Sequence, residues 1–317
     1  MRREPNVSHT GPERVIGHTG IGSPRIAAVN TYELTEAGPC EPLFRMEIDL
    51  PHGCIHARVR GSGIPVLIIH GGGLDHRHML DALEPVFEDC AGWKRIYIDL
   101  PGHEMSRADD TITSQDDVLG MISAFVDVAL EGERCAIIGE SRGSYHAMGL
   151  VHTRPEDFLG AMLVVAGGMT DESRERLPKH RTLVSASRAL PDNTSPELRD
   201  RFERLVVQNP DIPARIQRTK LPAYALADKE LAARISRNFT YSFDLSKPIA
   251  VFQKPCLFIN GRQDAMAGYW DTIDMFEFYP RATLAILDCA GHSLSWEQPE
   301  LFKALMLEWL RRVEREI

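Results

Sequence analysis

The sequence predicts an α/β fold with a mostly parallel central sheet, flanked by helices and interrupted once by an inserted helical segment. Three observations carry this. Short continuous runs of Val, Ile and Leu recur along the chain, segments with apolar residues at helical spacing alternate with them, and the alternation fails only between Gly168 and Lys247. Continuous apolar runs, unlike alternating ones, belong to strands covered on both faces, as parallel strands are.

Taken in order, residues 1–40 are rich in Gly, Pro, Thr and charge, with RIAAV as a short apolar island, and read as an irregular N-terminal arm. From Phe44 the segments FRMEIDL and CIHARVRG alternate apolar and polar residues around a PHG turn, which predicts an antiparallel hairpin. Runs at 64–70 (IPVLIIH), 94–100 (KRIYIDL), 134–140 (RCAIIGE), 158–167 (FLGAMLVVAG), 255–261 (PCLFING) and 282–288 (ATLAILD) then predict buried strands. Between them, 77–91, 115–130, 144–153, 268–278 and 299–314 carry helical spacing. The stretch 169–247 has no strong strand pattern but several amphipathic ones, and Ser195 before Pro196 and Glu197 marks a helix start. The domain reading is therefore an arm over 1–40, a core of 41–168 and 248–317, and a helical cap over 169–247.

With 317 residues, 43% of them hydrophobic and 26% charged, the chain is long enough for one large α/β domain with an insertion. Its net charge of −9 speaks against a nucleic-acid groove or an anionic membrane surface as partner, leaving a small-molecule substrate and a possible homo-oligomer. No apolar run reaches membrane-spanning length and no secretory h-region opens the chain, so the expected location is cytoplasmic. Cys40, Cys54, Cys90, Cys135, Cys256 and Cys289 form no CxxC pair and read as reduced thiols, with Cys135 and Cys256 inside predicted strands.

The chemistry centres on CAIIGESRGSYHAMG, 135–149, where a buried strand stops at a serine between two glycines and restarts at once as a helix. IIGESRG fits G-x-S-x-G, a turn in which Gly139 and Gly143 leave room for a strained Ser141 whose hydroxyl is exposed at a helix N-terminus. Alone the string is a common glycine-rich turn. Its context is LIIHGGGL at 67–74, where Gly72 or Gly73 would donate one N–H to an oxyanion and Arg142 N–H the other. A phosphate cradle is disfavoured there, since the Lys-Ser/Thr of a P-loop is missing. Asp264 lies just past a strand in INGRQDAMAG, and His292 lies in DCAGHSLSWEQPE between the last strand and last helix.

The order Ser141, Asp264, His292, with these loops, resembles the α/β-hydrolase superfamily over roughly residues 44–315, and within it the capped subgroup of esterases, lactonases and carbon-carbon bond hydrolases. The resemblance implies an α/β-hydrolase fold, Ser141 as nucleophile, His292 as proton carrier, Asp264 as its orienting acid, and no cofactor. DLPGHEMS departs from the relatives' D-x-x-G-x-G-x-S by placing Glu104 at the second glycine, and HGGGL departs from the H-G-G-P-G of proline-specific aminopeptidases. A serine at the elbow argues against epoxide hydrolases and haloalkane dehalogenases, which use aspartate.

Other residues have two readings each. Arg142 at a helix N-terminus opposes the helix dipole; it either pairs with an acid such as Glu140 or reaches the substrate pocket to favour anions. Asp171 is a competing position for the acid. His76 and His78 form an HxH pair with no clustered third ligand, so no metal is assigned, and His76 is taken as substrate lining or helix-start packing. His70 reads as a loop-orienting residue; Tyr145, His146, Tyr269, Trp270, Phe276 and Phe278 read as packing, and Phe202, Leu205 and Val206 as core or pocket lining. The leading function is a cofactor-independent serine hydrolase of a small or medium-sized ester, thioester or lactone. The alternatives are a carbon-carbon hydrolase of vinylogous diketones, and a small-molecule receptor or scaffold with slow or vestigial hydrolysis.

Overall fold

A computed structural model describes residues 30–36, 41–167, 169, 171–186, 190–245 and 251–317, the first of these segments as backbone only. Its strands are β1 (Asn30–Glu36), β2 (Leu43–Leu50), β3 (Gly53–Arg60), β4 (Ile64–Ile69), β5 (Trp93–Ile98), β6 (Arg107–Ala108), β7 (Cys135–Glu140), β8 (Phe158–Val164), β9 (Cys256–Gly261) and β10 (Ala282–Leu287). The helices are α1 (His76–Phe87), α2 (Gln115–Leu130), α3 (Arg142–Thr153), α4 (Asp171–Glu175), α5 (Pro196–Glu203), α6 (Ile212–Arg218), α7 (Lys220–Leu226), α8 (Lys229–Ile235), α9 (Trp270–Met275), α10 (Leu294–Glu297) and α11 (Pro299–Glu314).

The strands form one sheet in the order β1-β2-β3-β5-β4-β7-β8-β9-β10, with β6 paired to β3. Pairing is antiparallel from β1 to β5 and parallel from β5 to β10. The hairpin and all six predicted strands are present, though β10, expected to be buried, lies at the sheet edge and is half-buried; the architecture is the α/β-hydrolase fold that the motifs implied.

The continuous apolar runs serve both faces of the sheet. Leu67, Ile69, Ile96, Ile137 and Phe258 pack on the side of α2 and α3, while Val66, Ile68, Tyr97, Ile138 and Ile259 pack on the side of α1 and α11. The side-chain period of two makes this division, and apolar residues at both parities make both faces dry. Cys135 and Cys256 sit within those strands as free thiols, and burial pushes both up to about 12.

One expectation changes at the N-terminus. Asn30–Glu36, read as irregular arm, forms β1 and pairs with β2 from Asn30↔Ile48 to Glu36↔Leu43. An edge strand is held by one ladder of backbone bonds and needs no apolar run to announce it. Cys40 and the rest of 1–29 and 37–40 lie outside the described residues.

Residues 171–245 depart from the core as α4–α8, and Ser195 caps α5 by accepting from Leu198 N–H. Phe202, Leu205, Ile212 and Ile216 form their own small core with Trp296. This segment is tied down over the carboxyl ends of the parallel strands: Arg215 Nε meets Asp81 at 2.7 Å, Arg234 Nε meets Ile112 O at 2.8 Å, and Asp228 N–H donates to Gly102 O. Among the described residues no helix is long and apolar enough to cross a membrane.

Candidate active site

Ser141 stands between the end of β7 and the start of α3 with φ 53° and ψ −113°. A non-glycine residue there carries about 1–3 kcal/mol of strain, which the surroundings must over-determine. They do so through close backbone approach. A Cβ on Gly139 would fall 2.3 Å from Gly143 O, and one on Gly143 would fall 2.1 Å from Ile69 O, so both positions require glycine. Ser141 N–H donates to Val164 O at 2.8 Å, and Ser144 Oγ donates to Gly139 O and Val164 O.

Three side chains distant in sequence meet at this turn. His292 Nε2 is 3.0 Å from Ser141 Oγ, and His292 Nδ1 is 2.8 Å from Asp264 Oδ2. Asp264 is fully buried, and its other oxygen accepts N–H bonds from Met266 and Ala267, which fixes the carboxylate plane. Burial disfavours the imidazolium of His292, yet the Asp264 charge and hydrogen bond, helped by Glu140, outweigh it and hold the imidazole above its ordinary range. The arrangement can take a proton from a hydroxyl and stabilise the cation that results. Asp171 begins α4 after β8; its side chain lies outside the described residues.

The glycine loop sorts its two candidates. Gly73 N–H donates to His103 Nε2 at 3.1 Å and Gly73 (φ 74°) packs against Tyr224, so Gly73 is excluded as an oxyanion donor. Gly72 and Arg142 both line the cavity beside Ser141, and among the described residues neither N–H donates to a protein acceptor. His70 orders the loop as expected, since Nδ1–H donates to Gly71 O and Nε2 accepts from Leu100 N–H, while burial drives it down to about 4, keeping it neutral.

His76 is a correction. It does not line the cavity; it is buried, with its backbone N–H and Nδ1 both held by Asp99, which also accepts from His56 Nδ1 at 2.7 Å. Residues two apart on a helix face different ways, so His76 turns to Asp99 while His78 turns to Glu140 at 2.8 Å. His56, His76 and Asp99 bring donor atoms close enough for a cation, as do Glu47, Asp49 and Cys54. In the first group both Nδ1 atoms lie at hydrogen-bond distance from Asp99, at 2.7 and 2.9 Å.

A cavity of about 760 Å³ opens on Ser141 and His292. Leu205 and Tyr145 line it, as does Met148. Glu140, one residue before Ser141, is spent on His78; burial opposes its charge, but His78 overcomes this and holds the carboxyl down to about 2. Arg142 therefore does not pair with Glu140. Its guanidinium lies 3.8 Å from the ring centre of Phe239 and 5.5 Å from that of Tyr145.

Several residues escaped the sequence reading. Glu297 clamps the histidine loop to the inserted segment, with Oε2 accepting Gly291 N–H at 2.5 Å and Oε1 accepting Val206 N–H at 2.6 Å. Lys220 is half-buried beside them, donating to Ser293 Oγ at 3.0 Å under the ring of Trp296. In sequence these are ordinary helix charges, and no local signal marks them. Phe276, read as packing, is exposed, and Met275 takes the inward place on that turn.

A family model described as "Alpha/beta hydrolase family" matches residues 66–305. The chain is similar to the 2-hydroxy-6-oxononadienedioate/2-hydroxy-6-oxononatrienedioate hydrolase 2 of Pseudomonas putida, 24% identical over 281 residues covering 84% of this chain and 93% of the relative. Among solved structures, it resembles an alpha/beta superfamily hydrolase from Oenococcus oeni PSU-1 with TM-score 0.75 at 23% identity, covering 82% and 96% of the two chains. A thermophilic esterase from Thermogutta terrifontis gives TM-score 0.61 at 22% identity, covering 85% and 98%.

Proposed function

Because this chain belongs to the alpha/beta hydrolase family, we propose that it is a serine hydrolase that cleaves a small or medium-sized carboxylic ester, thioester or lactone through an acyl-enzyme. One observation carries the reading: the hydrogen-bonded chain from Ser141 Oγ through His292 to a buried Asp264, at 3.0 and 2.8 Å. A serine hydroxyl is a weak nucleophile at neutral pH, and a base in contact with it removes that limitation.

In this reading Ser141 Oγ attacks the acyl carbon as its proton passes to His292 Nε2. The C=O electron pair moves to oxygen, and the oxyanion is met by the N–H groups of Gly72 and Arg142 at the start of α3, each of which is worth about 10²- to 10³-fold in rate. Collapse expels the leaving group, which takes the proton from His292. Water then attacks the acyl-Ser141 ester by the same route and restores the enzyme. Asp264 holds the imidazole in the tautomer that presents a bare Nε2 to the hydroxyl. The helices over 171–245 act as a cap that shapes the cavity for the substrate.

A second reading has its own support, the named activity of the Pseudomonas putida relative over 84% of this chain. The same three side chains would then cleave a carbon-carbon bond of a vinylogous diketone. A panel of p-nitrophenyl esters run against a ring-cleavage diketone separates the two. Ester turnover that falls at least about 10³-fold in Ser141→Ala supports the ester reading; diketone cleavage without ester turnover overturns it in favour of the second.

A further inference from the structure

Two imidazoles and two carboxylates from separate segments of the chain meet at one point in the fold, and none of them lines the Ser141 cavity. His56 on β3, His76 at the start of α1 and Asp99 just past β5 are buried, and Glu104 reaches them from the turn between β5 and β6. His56 Nδ1 lies 2.7 Å from Asp99 Oδ2 and 3.5 Å from Glu104 Oε2, while His76 Nδ1 lies 2.9 Å from the same Asp99 oxygen. The fold thus gives His76 the clustered partners that the HxH spacing lacks.

Hydrogen bonding and charge are both left incomplete here. Protons on the two Nδ1 atoms can satisfy Asp99, but Glu104 Oε2 is buried and takes no hydrogen bond among the described residues. A carboxylate oxygen without water or a donor is costly. Arg77 is close enough to feel Asp99 and Glu104, yet its guanidinium is committed to Asp75. A divalent cation removes both deficits, because it binds all these donors at once and cancels the charges of Asp99 and Glu104. Imidazole nitrogen with carboxylate oxygen suits zinc, whose tetrahedral bonds of about 2.0–2.1 Å set its donors about 3.3 Å apart. The distances of 2.7, 2.9 and 3.5 Å bracket that spacing.

We infer that His56 Nδ1, His76 Nδ1, Asp99 Oδ2 and Glu104 Oε2 form a structural zinc site. Protein donors close the coordination shell, so the ion holds structure and touches no substrate. It ties β3, β5 and α1 to the turn that carries His103, whose Nε2 accepts the Gly73 N–H. Asp99 in turn precedes Leu100, whose N–H is held by His70. The ion therefore steadies the glycine loop through that loop's own neighbours. Glu104, with 15% of its side chain exposed, and the exposed Met105 mark the way in. The inference stands apart from the hydrolase reading.

The test uses the full chain, freed of metal by a chelator and then titrated with Zn²⁺ or Co²⁺. Wild type is expected to bind zinc with a Kd of about 1 μM or tighter, read by calorimetry and by metal analysis of the dialysed protein. A free concentration of about a hundred times Kd should raise Tm by about 4 °C or more. Co²⁺ should show the visible bands of a tetrahedral nitrogen and oxygen site. Glu104→Gly is the decisive variant, since glycine accepts the φ of 49° at that position and leaves the fold intact. It should bind that ion at least about 100-fold more weakly and lose the Tm rise, and His76→Asn should do the same. No bound zinc in wild type, or binding and a Tm rise unchanged in Glu104→Gly, overturns the inference. A cobalt spectrum abolished by Cys54→Ser overturns it too, because the ion then sits with Glu47, Asp49 and Cys54.

Discussion

His292 must be neutral to accept a proton, and its surroundings favour the charged form. Burial works against the charge, but Asp264 and Glu140 outweigh it, so the imidazole stays protonated to higher pH than a free histidine. Activity should therefore rise with pH along an acid limb whose midpoint lies above 6.5, read from kcat/KM for a neutral ester. Asp264→Asn removes the main raising charge, so the limb should move down while kcat/KM drops by about 10²- to 10⁴-fold. A wild-type limb below 6.5 would contradict this account. At this scale the sequence was informative where a motif fixes a backbone shape. Ser141 needs glycines at 139 and 143 because neighbouring carbonyl oxygens leave no space for a Cβ, and that demand is written in the chain. Lys220 and Glu297 gave no comparable sign, because Glu297 meets Val206 91 residues away and Lys220 meets Ser293 73 residues away, under a ring the local pattern does not specify.

Among the elements, α2 shows how local chemistry fixes a boundary. Ser114 Oγ accepts Asp117 N–H at 3.2 Å, and Asp117 returns by accepting Ser114 N–H at 2.9 Å, a reciprocal cap on the helix that lays Ile122 and Phe125 against the sheet. Ser114→Ala should lower the free energy of unfolding by about 1 kcal/mol, measured by denaturant titration with the slope unchanged. A loss near zero would show that packing alone sets this end. The inner strands were legible as continuous apolar runs buried on both faces, and the long helices because their burial repeats near every 3.6 residues. β1 and β6 were not, since an edge ladder and a two-residue bridge rest on backbone pairing. Of the two readings of His76, helix-start packing holds and substrate lining fails, since a helix turns residues 76 and 78 in different directions and residue 76 faces the buried Asp99.

On the scale of the whole molecule, the sheet delivers the ends of β7 and β9 and the loop after β10 to one place, and residues of α4–α7 line the cavity there. The chain order of Ser141, Asp264 and His292 could be read in advance because the fold brings strand ends together in a fixed sequence. The cavity wall could not, as α4, α5, α7 and residues 239–240 reach it only through the three-dimensional path of the inserted segment. The account as a whole stands on a covalent intermediate at one oxygen atom, and that is directly measurable. Protein mass spectrometry after rapid acid quench with a slowly deacylated p-nitrophenyl ester should show one added acyl group, carried on the peptide containing Ser141 and missing in Ser141→Ala. Sustained turnover with no acyl group on Ser141, or undiminished turnover by Ser141→Ala, would contradict it.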